Sequence, residues 1–465
     1  MNFISTRGEA PPASFLEAVL AGLAPDGGLY VPEHWPQVSH ADIAGFAGRP
    51  YAEVAADLIA RFTGGQPTRR ELATMCAEAY ASFDHTAVAP LTQLTPGSFL
   101  LELFHGPTLA FKDVAMQLLA RLYDHALARQ GRRLTIVCAT SGDTGGAAVE
   151  AFRGRANVRI VVLFPEGRIS EAQRRFMTTA GETNVACLAV KGTFDDCQAM
   201  LKEMFRDAQF AKAVDLSGVN SINFARIAAQ IVYYFTAAAA LGAPHRHVAF
   251  AVPTGNFGDA YAGYAAHRMG LPVERILVAT NANDILARAL ATGRYERGAV
   301  TATSSPAMDI QAASNFERLY FECVGRDPEE TTRAFEAFAG AGAIGIPAKG
   351  VAAMRKLMAG GAVSEEAAAA TMLAVRNETG ELIDPHTAVA LAVAKRAGSP
   401  SLATPMVTLA TAHPAKFPEA VRAATGVDPA QPASICRMAG LPERTQRIGA
   451  DVEAAKAAIR AFATA

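Results

Sequence analysis

Three stretches of the chain put reactive residue types where chemistry would need them. In "HGPTLAFKDVAMQLLARLYDHAL", Lys112 stands just inside a helix start, behind turn-forming Gly106 and Pro107 and the apolar Phe111. A cation is disfavoured at this end because the helix dipole is positive there. Desolvation and the dipole both ease the loss of its proton. A neutral amine is a nucleophile and a base, whereas an ammonium is neither. The placement is costly for structure and useful for amine chemistry.

The second stretch is "PTGNFGD", residues 253–259, between the strand "VAFAV" and the helix "AYAGYAAHR". Gly255 and Gly258 let the backbone curl closely around Asn256 and Phe257, and the following helix offers unpaired N–H groups, an arrangement that suits a phosphate. The loop lacks both GK[ST] and GxGxxG, so neither a nucleoside-triphosphate loop nor a dinucleotide fingerprint is present. It reads alternatively as a tight turn with Asp259 as the helix N-cap. The third stretch is "TSGDTGG", residues 140–146. Ser141, Thr144 and the backbone at Gly142 and Gly145 supply donors for a carboxylate or phosphate, although Ser, Asp and Thr are also ordinary caps. A phosphate cradle without a dinucleotide motif, joined to an activated lysine, points to pyridoxal phosphate as cofactor.

These loops need a scaffold. Residues 1–95 read as a mostly helical region: "SFLEAVLAGLA", "YAEVAADLIARFTG" and "RRELATMCAEAYASF" carry apolar residues at helical spacing. Beyond it, "RLTIVCAT", "VRIVVLFP" and "NVACLAVKG" are continuous apolar strands alternating with helices, the pattern of parallel sheets covered on both faces. A second set follows in "HVAFAVPTG" and "ILVATNAND", closed by "PMVTLATAHP" after an alanine-rich helical stretch. The fold class is therefore α/β, with two doubly wound parallel-sheet domains. The small one spans 132–210, and the large one takes 96–131 and 211–465. In such sheets ligands sit beyond the carboxyl ends of the strands, where all three loops lie.

Bulk properties narrow the function. The 465 residues carry a formal net charge of -1 with 51% hydrophobic content, giving no electrostatic footprint for nucleic acid or an anionic membrane. Cys76, Cys138, Cys187, Cys197, Cys323 and Cys436 are scattered without CxxC pairs, which fits a reducing cytoplasm and no zinc site. "HRH" at 245–247 has no third ligand nearby. "IAAQIVYYFTAAAALGA", bounded by Arg226 and interrupted by Gln230, reads as a buried helix, and the N-terminus lacks a signal-peptide pattern.

In order along the chain, "STRG", "DGGLYVP", "HGPTLAFKD", "ATSGDTGGAA", "PTGNFGD", "SSPAMDIQAASNFERL", "DPHTAVA" and "ATAHPAKFPEAV" resemble threonine synthases of the longer bacterial and fungal type. That family is similar to the other fold-type-II pyridoxal phosphate enzymes, such as tryptophan synthase β. The resemblance implies that Lys112 binds the cofactor aldehyde, with His105 and Phe111 beside it. It implies that Gly255, Asn256, Phe257, Gly258 and Asp259 hold the cofactor phosphate. Thr411, with Thr408 as its near neighbour, matches the hydroxyl residue at the pyridine nitrogen. Asp143 stands where many relatives have an asparagine that hydrogen-bonds the cofactor's 3′ oxygen; an aspartate cannot donate there unless protonated.

The implied reaction converts O-phospho-L-homoserine and water to L-threonine and phosphate, with Lys112 as general base. The Ser141–Thr144 loop is the expected contact to the amino acid. Asn315 and Arg318 are candidates for the leaving phosphate, against the alternative that Ser314 to Glu317 is a capping box. Asp384 and Pro385 read as an N-cap and first helical residue. Arg7 and His413 have no role derivable from sequence. The expected assembly is a monomer or homodimer.

Overall fold

The computed structural model describes residues 1–398 and 402–464. The larger sheet has six strands in the order Met358–Ala362, Val273–Thr280, Val248–Pro253, Met406–Ala410, Ser98–Glu102 and Leu91–Thr95. All pairings are parallel except that of the edge strand Leu91–Thr95, which runs antiparallel to Ser98–Glu102. The inner strands are buried on both faces, which is why Val248–Pro253 reads as an unbroken apolar run. Helix Phe224–Ala240 covers one face and is almost wholly buried, as its composition suggests. Among the described residues no helix is long and apolar enough to cross a membrane.

The smaller sheet is ordered Gln446–Gly449, Val185–Lys191, Val158–Pro165, Leu134–Ala139 and Leu216–Ser217, all parallel. Its middle strands are those expected from sequence. Its outer strands are not, because both lie outside 132–210. Residues 446–449 add an edge strand, and helix Val452–Thr464 buries Ala455 and Ile459 against the same core as Leu188 and Val190. The C-terminal segment thus packs on the small sheet rather than the large one.

The N-terminal region is helical as expected, apart from the antiparallel pair Phe3–Ser5 and Tyr30–Pro32 and its last residues, Leu91–Thr95, which join the larger sheet as an edge strand. Three of its helices open with reciprocal capping boxes, Ser14/Glu17, Ser39/Asp42 and Thr68/Glu71, each contributing about 1 kcal/mol. Phe224 packs its ring edge-on against Phe3 and Phe62, which fastens this region to the large domain. Thr6 and Arg7 also bind Glu317, at 2.7 Å and 3.1 Å. Arg7, without a role in the sequence reading, is the outer half of that clasp.

Candidate active site

Lys112 is the first residue of helix Lys112–Gln130, as its surroundings in sequence indicate. The loop before it is tightly built. Asp113 accepts hydrogen bonds from the Thr108 N–H (2.8 Å) and hydroxyl (2.7 Å), and Gly106 lies so close that a Cβ there would stand 2.4 Å from that of Asp113. Burial pushes the Asp113 carboxyl up to about 6. The Phe111 N–H donates to the Thr411 carbonyl (2.9 Å) and the His413 N–H to that of Leu109 (3.1 Å). Lys112 is thereby stitched to the end of strand Met406–Ala410, with Thr411 at the sheet's carboxyl edge. Thr408 lies within the strand, fully buried.

Side chains then converge from separate elements. Lys112 Nζ lies 3.2 Å from Asp143 Oδ2, and Lys416 Nζ lies 2.7 Å from Asp143 Oδ1. Gln173 Nε2 donates to Asp143 Oδ1 (2.9 Å), and Lys416 also donates to the Thr108 carbonyl (2.9 Å). Burial alone would raise the Asp143 carboxyl, but the two lysines override it and hold it well below the usual range. Asp143 is therefore a carboxylate. Burial also lowers the Lys112 ammonium; Asp143 opposes this, while Lys416 and Arg226 reinforce it.

Asp143 opens helix Asp143–Phe152 behind a loop that only glycine permits at 142. Gly142 has φ 136°, and a Cβ there would fall 2.4 Å from the Gln173 side chain. Thr140 Oγ1 accepts from the N–H groups of Gly142 (2.9 Å) and Gly145 (3.0 Å), curling the loop. Ser141 is exposed and Thr144 half-buried at its rim.

The 253–259 loop leaves the neighbouring strand. Phe257 takes the left-handed conformation (φ 66°) at the N-cap of helix Gly258–Arg268, and a Cβ on Gly255 would meet the Ala307 carbonyl at 2.4 Å. Ser314 donates to Asn256 Oδ1 (3.0 Å), and the Asn315 backbone and side chain both donate to the Asn256 carbonyl (3.0 and 3.1 Å). The loop is thus braced from outside: the Thr254 N–H donates to the Ala279 carbonyl (2.8 Å), and the N–H groups from Gly255 onward, with the helix start, suit a ligand. Asp259 is not the cap. Its carboxyl accepts from the Tyr233 and Tyr234 hydroxyls and is pushed up to about 7 by burial.

Near enough to Lys112 to lower it lies a buried cation that sequence reasoning overlooked. Arg226 sits in the first turn of helix Phe224–Ala240, next to Ile227, which would touch a Cβ on Gly258. It is 3% exposed, donates only from Nη1 to the Val219 carbonyl (3.2 Å), and its buried Nε has no partner. Among the described residues no carboxylate balances it, and burial lowers it to about 10. A buried guanidinium with donors to spare is made for an anion.

Comparison with known proteins fits this geometry. Residues 84–412 match the family model for pyridoxal-phosphate-dependent enzymes, 2–80 that for the threonine synthase N terminus, and 387–459 that for the threonine synthase C-terminal region. The threonine synthase of Pseudomonas aeruginosa is 50% identical over 448 residues, covering 96% of this chain and 95% of its own. This chain belongs to the threonine synthase family. The structure of pyridoxal phosphate-bound threonine synthase from Brucella melitensis superposes with a TM-score of 0.97 at 51% identity over the full length of both chains. That of yeast gives 0.94 at 36%, covering 100% of this chain and 99% of its own.

Two expectations drawn from the threonine synthase motifs need correction. Arg318 is fully buried, and its three nitrogens donate to the Tyr30 carbonyl, the Ile222 carbonyl and Asn315 Oδ1. Asn315 Nδ2 is committed to the carbonyls of Ser221 and Asn256. Both brace the cradle from behind instead of facing a leaving phosphate. The capping-box alternative fails too, because Asn315 holds the N-cap position without a side-chain cap and Glu317 turns to Arg7. Asp384, by contrast, does cap its helix, accepting from the N–H groups of His386 and Thr387 ahead of Pro385 at the first turn.

Proposed function

We propose that this protein converts O-phospho-L-homoserine and water into L-threonine and phosphate with pyridoxal phosphate as cofactor. The residues present fit that group. Lys112 offers a buried amine for the aldehyde, and the loop at Gly255, Asn256, Phe257 and Gly258 offers amides that a Cβ would obstruct. Thr411 stands at the strand end beside Phe111 for the ring nitrogen, and Asp143 faces Lys112 from the small domain. When bound, the cofactor supplies an electron sink for charge developing at the substrate's Cα.

The chain's own residues do the rest. Lys112 Nζ takes the Cα proton and serves the later proton transfers at Cβ and Cγ, a role that suits an amine lowered by burial. Phosphate departs from Cγ and water adds at Cβ. Ser141, Thr144 and the loop amides hold the substrate carboxylate. Arg226 holds the phosphate that leaves, and it is the observation that carries the reading. A dehydratase acting on serine or threonine has no second phosphate to bind, whereas here a buried guanidinium, without a carboxylate partner among the described residues, lies near enough to Lys112 to lower it.

The deciding experiment mixes purified protein with pyridoxal phosphate, records its absorption spectrum, and assays phosphate release from O-phosphohomoserine. A visible band lost in Lys112→Ala and stoichiometric phosphate and threonine are expected. A colourless protein, or one that makes only 2-oxobutanoate from threonine, overturns the reading. We place the enzyme in the cytoplasm as a monomer or homodimer, a setting supported by its unpaired cysteines, five of them buried.

A further inference from the structure

Lys416 is the least explained charged group in the molecule. It is 1% exposed at the end of the short turn Pro414–Lys416, and its ammonium contacts two oxygens, one on Asp143 and one on Thr108. Lys112, in contrast, has a single oxygen partner, also on Asp143 and at a longer distance. Two buried ammonium groups therefore share one carboxylate. The other charged groups near them are Arg226, which adds positive charge at Lys112, and Asp113, whose carboxyl feels Lys416. His413, in the same turn, lies edge-on against Phe104.

An aspartate facing a lone lysine would keep that lysine an ammonium, because an opposite charge at this distance favours the charged form. We propose that Lys416 is a positioning residue that serves as the standing counter-ion of Asp143, so that Asp143 orients Lys112 without trapping its proton. Lys112, held by one oxygen where Lys416 is held by two, has less to break when it turns away. Asp143 keeps Lys416 and Gln173 when the Lys112 amine turns elsewhere, so no orphaned buried carboxylate results. The carboxylate–ammonium pair also supplies what an aspartate alone lacks at this position, a neutral unit with a donor.

The idea rests on the reading of Lys112 as the reactive amine, but it is testable without cofactor or turnover. In cofactor-free protein, the pH dependence of Lys112 acylation by a small amine-reactive ester, followed by peptide mass spectrometry, reads its proton affinity. Lys416→Met should move the midpoint upward by about one pH unit or more, because Asp143 then retains the Lys112 proton. Asp143→Asn should move it downward, since Lys112 then faces Lys416 unbalanced. The double variant Asp143→Asn/Lys416→Met should return close to the parent. A residue that merely packs would lower thermal stability without moving the midpoint. An unchanged midpoint in folded Lys416→Met overturns the proposal. If Lys416→Met does not fold, the comparison of Asp143→Asn with Asp143→Asn/Lys416→Met decides it: a higher midpoint in the double variant supports the idea and equal midpoints overturn it. Shifted midpoints in a protein that binds no pyridoxal phosphate would sink the functional reading and leave this one standing.

Discussion

Lys112 and Arg226 occupy the same kind of place and do opposite things there. Each is a buried cation in the first turn of a long apolar helix, at the end where the dipole opposes it. Lys112 meets a carboxylate whose own charge is balanced by Lys416, so its proton is negotiable. Arg226 meets no carboxylate, and a guanidinium keeps its proton near neutral pH. On the proposed function, one place suits an amine that changes charge and the other a cation that does not. The difference lies in the partners supplied from elsewhere in the chain, not in the helices themselves.

Substitutions can break this contrast, beginning with its reactive half. Lys112→Ala should abolish the visible band and lower turnover by about 10⁴-fold, because one group performs every proton transfer; stopped assays of phosphate release check it. Arg226→Gln should leave the band in place and lower kcat/KM for O-phosphohomoserine by about 10–100-fold, the worth of charge-assisted bonds to phosphate. An unchanged kcat/KM would remove Arg226 from the substrate site. Gly142→Ala forces a side chain into a φ of 136° and into Gln173, so it should cost about 1–3 kcal/mol in thermal or urea unfolding and weaken cofactor binding measured by fluorescence.

The smallest effect concerns His105, which lies 2.8 Å from both Glu102 and Asp84. Burial lowers its pKa, but the two carboxylates outweigh burial and raise it. The raised folded-state value means that the contribution is fully present below the ordinary histidine range and fades as pH climbs through the folded value. Since Asp84 is largely exposed, about 1 kcal/mol or less is expected. Unfolding of His105→Gln and parent protein at mildly acidic and mildly alkaline pH should differ only at the acidic end.

The part of the site readable from sequence is the part made by neighbours along the chain. Lys112 announces itself through Gly106, Pro107 and its helix start, and the 253–259 loop through its glycines. Arg226 carries the same signal as Lys112, a cation at the head of an apolar helix, but was read only as that helix's boundary. Lys416 carries none: in "AHPAKF" it looks like any lysine after a proline turn, and only the approach of Asp143 and Thr108 makes it distinctive. Arg318 erred the other way, because a guanidinium's chemistry is visible in sequence while its burial under Tyr30 and Ile222 is not. The two parallel sheets were legible from apolar strands alternating with helices. The polar edge strand "QRIG" was not, since an edge needs only backbone pairing to Leu188–Lys191.

That edge strand has a bearing on biosynthesis. Glu443, just ahead of it, grips Arg174 and Arg175 on the helix that carries Gln173, and Gln173 in turn holds Asp143. A ribosome makes these residues after every other strand of both sheets. The carboxylate facing Lys112 therefore draws its outer support from one of the last segments to be made, and a chain ending before residue 443 would lack that buttress.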